Sequence, residues 1–228
     1  MQLTLSINLR DDATFTNFFC GNNQQLIDYL KVLTTGDAPE KFVYLWGKKG
    51  AGSTHLLQAC CHDSSDHRKT AIYLPIEDES LNPDVLLDLE QVEVVCLDNI
   101  QTVMADPAWE EALMHFYNRM RENGHALVIA GDAPPKQLDC QLQDLKSRLS
   151  WGVTFQVNGL SDEEKLEALQ RRALNRGLEL SHEVGQFLLR HMSRDMGVLF
   201  DMLDRLDKAS LVAKRRLTIP FIKDTLNF

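Results

Sequence analysis

The stretch "YLWGKKGAGSTHLLQ", residues 44–58, limits the fold more than any other part of the chain. An apolar run passes through glycines directly into a segment of helical character. That is the opening of an α/β unit, and its loop has the outline of a P-loop, G-x-x-x-x-G-K-[ST]. Gly47 and Gly52 have the right spacing and Thr54 closes the pattern, but Ser53 stands where the lysine belongs. Glycine lets the main chain fold into a cup, the cup turns N–H groups inward, and the helix starting at Ser53–Thr54 adds its positive dipole end. None of these effects needs lysine, which adds a mobile charge against the β- and γ-phosphates. Its replacement is expected to weaken triphosphate affinity and catalysis more than diphosphate binding. Lys48 and Lys49 offer partial charge from another part of the loop. A purely structural glycine turn is the plain alternative.

The surrounding pattern favours a nucleotide-binding α/β fold. The runs 41–46, 71–75, 92–97, 125–131 and 153–157 read as buried strands. Helical segments separate them: "THLLQACC", a short helix in "NPDVLLDLE", the amphipathic stretch 107–124 and "LQDLKSRL". A further helix, 22–33, precedes the first strand. This alternation predicts a parallel five-stranded sheet covered by helices over 13–158. From 159 to 228 it gives way to helices alone, beginning with Ser161 and Glu164 in a capping arrangement. That region is expected to be a small all-helical domain. Residues 1–12 form a separate N-terminal peptide.

The third strand ends "VVCLDNIQ". A carboxylate at that place is the second half of a nucleotide site, where Asp98 and the Thr54 hydroxyl hold Mg²⁺ beside the phosphates. An Asp capping a turn would explain Asp98 alone. It would not explain Asp98 and Gly47–Thr54 together, at the ends of adjacent-type strands. The next residue is Asn99, which cannot accept a proton from water. Ser53 and Asn99 therefore point to a site that holds nucleotide and hydrolyses it slowly or not at all.

Lys plus Arg number 24 against 33 Asp plus Glu, a formal charge of −9. An acidic balance argues against strong direct binding to DNA phosphates. Five scattered cysteines without a CxxC pair argue against a disulfide framework and make a reducing cytoplasm the expected compartment. Cys60, Cys61 and His62 point about 100° apart on a helix and do not converge on a metal, so "CCHDSSDH" reads as a buried helix end. The first residues lack the basic and apolar regions of a signal peptide, and no run reaches the roughly 20 apolar residues of a membrane helix.

The segments "TFTNFFCGNNQQL", "YLWGKKGAGSTHLLQA", "CLDNIQ", "LVIAGDAPPKQL" and "LQDLKSRLSWG" together resemble the AAA+ P-loop NTPase domain of the DnaA replication initiators. The likeness spans about 14–225. It ends with the helical lid, so neither the initiator's DNA-binding domain nor its N-terminal domain is expected. Within the family the chain resembles the short DnaA-homologous Hda regulators, which promote ATP hydrolysis on the initiator. The resemblance implies ADP or another nucleoside diphosphate as cofactor, with Mg²⁺ optional. It places that nucleotide against Gly47, Lys49, Gly50, Ala51, Gly52, Ser53, Thr54 and His55, with Phe18 and Phe19 on the base side. It implies that Arg148 is an arginine finger acting in trans on DnaA; a surface arginine paired with Asp144 is the alternative. "QLTLSI" resembles a peptide that binds the DNA sliding clamp through Gln2, Leu3, Leu5 and Ile7, the alternative being a first β-strand. A homo-oligomer is compatible with the family. The lid's sensor arginine position falls on Gly197, with Arg194 three residues before it. Two rival functions remain open: a working ATPase related to helicase loaders, and a DNA-binding regulator.

Overall fold

A computed structural model describes residues 9–213 and 215–226. The elements are α1 Gln24–Thr35, β1 Phe42–Trp46, α2 Ser53–Asp66, β2 Ala71–Pro75, β3 Val94–Asp98, α3 Pro107–Glu122, β4 Ala126–Gly131, α4 Gln143–Leu149, β5 Val153–Gln156, α5 Asp162–Asn175, α6 His182–His191, α7 Met196–Ala213 and α8 Ile219–Leu226. The clamp-peptide residues Gln2, Leu3, Leu5 and Ile7 lie outside the described residues.

The five strands form one parallel sheet in the order β2-β3-β4-β1-β5. Every residue of β3 and β4 is buried, as expected of apolar strands covered on both faces. On one face Leu74, Leu97, Ile129, Phe116, Met120 and Leu149 make a continuous core. All strands run the same way, so β1, β3 and β4 deliver their carboxyl ends to one edge, where an open α/β sheet binds ligands. The strands carrying Gly47 and Asp98 are not neighbours, as the sequence suggested. β4 lies between them.

The described residues divide into two compact units. One comprises residues up to Lys48 together with Gly52–Asn158; the other comprises Lys49–Ala51 together with the residues from Gly159 on. The second unit is helical, with Leu169, Leu188, Leu199, Leu203, Leu206 and Ile222 in its core. Its first helix has the capping box read from the sequence: Glu164 N–H donates to Ser161 Oγ at 3.2 Å and Ser161 N–H to Glu164 Oε2 at 2.8 Å.

One local expectation is corrected. "NPDVLLDLE" is not a helix but two short 3₁₀ turns, Pro83–Leu86 and Leu89–Gln91. Leu87 is extended and Asp88 has φ 66°, which breaks the helix between them. "CCHDSSDH" is a helix end, as the sequence suggested: α2 stops at Asp66 with Cys60 and Cys61 buried in its last turns. The polar last turn is held from outside: Thr34 of α1 donates to Asp63 Oδ2 at 2.5 Å. No group of three metal-type side chains converges among the described residues.

Candidate functional site

The site grows from the junction of β1 and α2. Gly47 N–H donates to Gly131 O at the end of β4, 3.3 Å away, which fixes the start of the loop to the sheet. Gly50 has φ 80° and Gly52 φ 107°, both in the left-handed region that glycine alone enters freely. At Gly52 a Cβ would stand 2.7 Å from Phe18 Cε2, so the loop and the ring fit together only because position 52 has no side chain. Lys49 and Gly50 are exposed and Ala51 is buried.

The first intrahelical bond of this turn is Leu56 N–H to Gly52 O at 3.0 Å. The amides of Ser53, Thr54 and His55 precede it and carry no intrahelical partner. Three donors at a helix start, with the dipole behind them, suit an anionic oxygen cluster. Phe18 and His55 flank them, ring centroids 5.4 Å apart, and His55 Nε2–H donates to Thr14 O at 2.8 Å. The segment before α1 is thereby held against α2. Phe19 is half-buried nearby in sequence but has no ring contact among the described residues.

Asp98 is 2% exposed and fully engaged. Its Oδ2 accepts from the Thr54 hydroxyl at 2.6 Å and from the Tyr73 phenol at 2.9 Å, and its Oδ1 accepts from Asn99 N–H at 3.0 Å. Thr54 and Asp98 thus come together across the intervening β4. Tyr73 was missed in the sequence, where it is one aromatic residue in a strand. It ends up beside Asp98 because β2 pairs with β3. Burial first, then the Asp98 charge, holds its phenol well above the usual tyrosine range, so it remains a donor.

Asn99 has φ 58° and ψ 42°, a conformation that asparagine tolerates. Its side-chain oxygen accepts from Gln101 Nε2 at 3.3 Å. The residues present fit a phosphate group and a hard cation: main-chain donors would hold the one, and the Thr54 and Asp98 oxygens the other. They supply neither a lysine for the γ-phosphate nor a base beside Asp98.

Arg148 occupies the last turn of α4. Its guanidinium lies 4.3 Å from the Trp151 ring centroid and 6.0 Å from that of Tyr117. Among the described residues it has no carboxylate partner, so the suggested pairing with Asp144 is not formed. In the helical unit Arg194 is taken by Asp162 at 3.2 Å, and Gly197 lies in the first turn of α7.

A buried carboxylate that the sequence did not flag sets the approach to α4. Glu110, 1% exposed, accepts from Ala105 N–H at 2.9 Å, from Gln141 N–H at 2.9 and 3.1 Å, and from Leu142 N–H at 2.7 Å. Burial alone would raise its pKa; the N–H groups of Gln141, Leu142 and Ala105 outweigh burial and hold it below the usual glutamate value. The neighbouring Cys140 thiol is pushed up to about 11, by burial and then by the Glu110 charge.

Residues 9–156 match the family described as the bacterial DnaA ATPase domain, and residues 162–226 match the Hda lid domain. An uncharacterized protein of Haemophilus influenzae is 45% identical, over 99% of this chain and 98% of its own length. Domain III of the Thermotoga maritima replication initiation protein DnaA has the same fold, with TM-score 0.77 and 20% identity over 97% of this chain and 98% of that one. AMPPCP-bound DnaA from Aquifex aeolicus gives TM-score 0.74 and 20% identity over 90% of this chain and 67% of that one. No helix among the described residues is long and apolar enough to cross a membrane. The chain therefore belongs to the DnaA-homologous AAA+ proteins of the Hda kind, with a five-stranded parallel P-loop domain followed by a helical lid.

Proposed function

We propose that this chain is a cytoplasmic AAA+ adaptor that holds ADP and stimulates hydrolysis of ATP bound to DnaA, so restraining replication initiation. The observation that carries the reading is the asymmetry of the site. Helix-start amides of Ser53–His55 without an intrahelical partner and the Thr54–Asp98 pair support binding, while lysine and second acid are replaced by Ser53 and Asn99. Such a site favours retention of a diphosphate over turnover. Phe18 and Phe19 would close the base side, and Thr54 and Asp98 would hold Mg²⁺, whose charge would neutralise phosphate oxygens.

The catalytic charge is then offered outward. Arg148 carries a guanidinium with no carboxylate partner among the described residues. Placed at the γ-phosphate of DnaA-bound ATP, it stabilises the charge that develops as water attacks phosphorus and ADP leaves. Such arginines contribute roughly 10³-fold or more. The N-terminal peptide, through Gln2, Leu3, Leu5 and Ile7, tethers the chain to the DNA-loaded sliding clamp and thereby to the nucleoid. Self-association through the same AAA+ faces is part of the proposal.

The test is release of phosphate from DnaA preloaded with labelled ATP, with clamp on DNA, comparing this protein with Arg148→Ala. The expected result is stimulation by the native chain and none by the variant at equal ADP binding; full stimulation by Arg148→Ala would remove the finger. A second reading is an ATPase in its own right, favoured by the intact Thr54–Asp98 pair. Brisk ATP turnover by the purified chain alone would support it.

A further inference from the structure

Trp151 is 57% exposed, unusual for a residue so firmly placed. Its N–H donates to Arg148 O at 3.0 Å, closing the turn after α4. The following Gly152 is pressed against the Phe42 carbonyl, where any Cβ would collide. The indole is therefore held outward by its own backbone.

Two guanidiniums attend this one ring. Arg148 lies 4.3 Å from its centroid, and Arg121, exposed in the last turn of α3, lies 5.8 Å from it. Among the described residues neither has a carboxylate partner. The charged groups bearing on the adjoining Tyr117 phenol are Arg121, Glu40 and Arg148. Of these the only carboxylate, Glu40, already accepts from Phe42 N–H at 2.9 Å. A shallow surface depression, too small for more than a water molecule, is lined by Phe42, Tyr117, Arg148, Leu149 and Gly152. Two guanidiniums beside one exposed ring make a local positive patch on a chain of net charge −9, complementary to an anionic partner surface. An exposed, rigid tryptophan between two arginines has the composition of an interface anchor.

We propose that Arg121, Trp151 and Arg148 form one docking surface for a nucleotide-loaded AAA+ protein, the indole anchoring on the partner while both guanidiniums face its triphosphate. This rests on the reading of Arg148 as an outward-acting arginine and divides the labour around it. Arg148 touches the reacting phosphate; Trp151 and Arg121 are positioning residues. The ring holds the Arg148 guanidinium in place through a cation–π contact, and Arg121 adds a second positive charge that draws the partner in.

The experiment measures phosphate release from ATP–DnaA as a function of the concentration of this protein, for the native chain, Trp151→Ala, Trp151→Phe, Arg121→Ala and Arg148→Ala. Trp151→Ala is expected to raise the half-saturating concentration about 10- to 100-fold, the usual range for truncating an aromatic anchor, and to lower the maximal rate less than Arg148→Ala does. Trp151→Phe keeps part of the effect. Arg121→Ala raises half-saturation by about 3- to 10-fold and steepens no rate at saturation. Arg148→Ala loses the maximal rate instead. If Arg148→Ala is unimpaired the finger reading fails, while the half-saturation of Trp151→Ala still reports on the surface.

A readout independent of variant folding is ¹⁹F NMR of the chain labelled with 5-fluorotryptophan at its three tryptophans. Addition of ATP–DnaA is expected to shift the Trp151 resonance and shield it from solvent, while the buried Trp109 resonance stays. An unshifted Trp151 resonance under saturating ATP–DnaA, or unchanged half-saturation in Trp151→Ala, overturns the proposal. So does an equal shift produced by a single-stranded oligonucleotide alone at physiological salt, which would make this a nucleic-acid surface.

Discussion

Removing the Glu110 carboxylate should loosen the approach to α4 and with it the placement of Arg148. Glu110 lies in the first turn of α3, and its two oxygens bind the main chain on both sides: Ala105 before the helix, Gln141 and Leu142 before α4. Glu110→Ala leaves three N–H donors without their acceptor, at about 1–3 kcal/mol each when water cannot replace it. Gln141 is exposed, so water recovers part of that, and the lower end, about 3 kcal/mol in total, is expected. For a chain of this size that corresponds to a fall in melting temperature of about 6–12 °C. Glu110→Gln keeps the shape but sets an amide NH₂ against an N–H donor, and should cost about 2 kcal/mol.

The pH dependence gives the sharper check. The folded pKa of Glu110 is held below its unfolded value of about 4.3. Its contribution is therefore fully present above that unfolded value and is lost as pH falls through the folded pKa. Urea denaturation of native chain and Glu110→Gln from pH 7 down to 3 should show a difference that is constant at neutral pH and shrinks in acid. A difference that does not change with pH, or a Glu110→Ala cost below about 1 kcal/mol, would refute the reasoning.

Tyr73→Phe removes one of two hydroxyl donors to Asp98 and should destabilise by about 1–2 kcal/mol in urea denaturation; a neutral effect would mean that the phenol is not needed to satisfy the buried carboxylate. Ser53→Lys restores the charge that the loop lacks. It should raise ATP affinity over ADP affinity by about tenfold or more in calorimetry, the scale of one charged hydrogen bond, without producing turnover because Asn99 remains; equal gains for both nucleotides would contradict the cup geometry.

The strands and long helices were legible because their signals are local: apolar β-rich runs, the amphipathic stretch of α3, Ser161 with Glu164 opening α5. The strand order was not legible, since nothing in β1 or β3 says that β4 passes between them. The end of α2 was legible, but not the Thr34 hydroxyl of α1 that holds its Asp- and Ser-rich last turn. Gly52, Thr54 and Asp98 were readable as a motif. Tyr73 and Glu110 were not, because a tyrosine in a strand and a glutamate in a first helical turn look ordinary until distant main-chain and side-chain groups close on them.

The question beneath all of this is whether main-chain amides alone keep a nucleotide on this chain. Titration of ADP into the purified protein, followed by calorimetry in Mg²⁺ buffer, answers it. One site, filled by ADP at least as tightly as by ATP, is the expected result. Absence of binding at millimolar ADP would mean that the turn between β1 and α2 is only a turn.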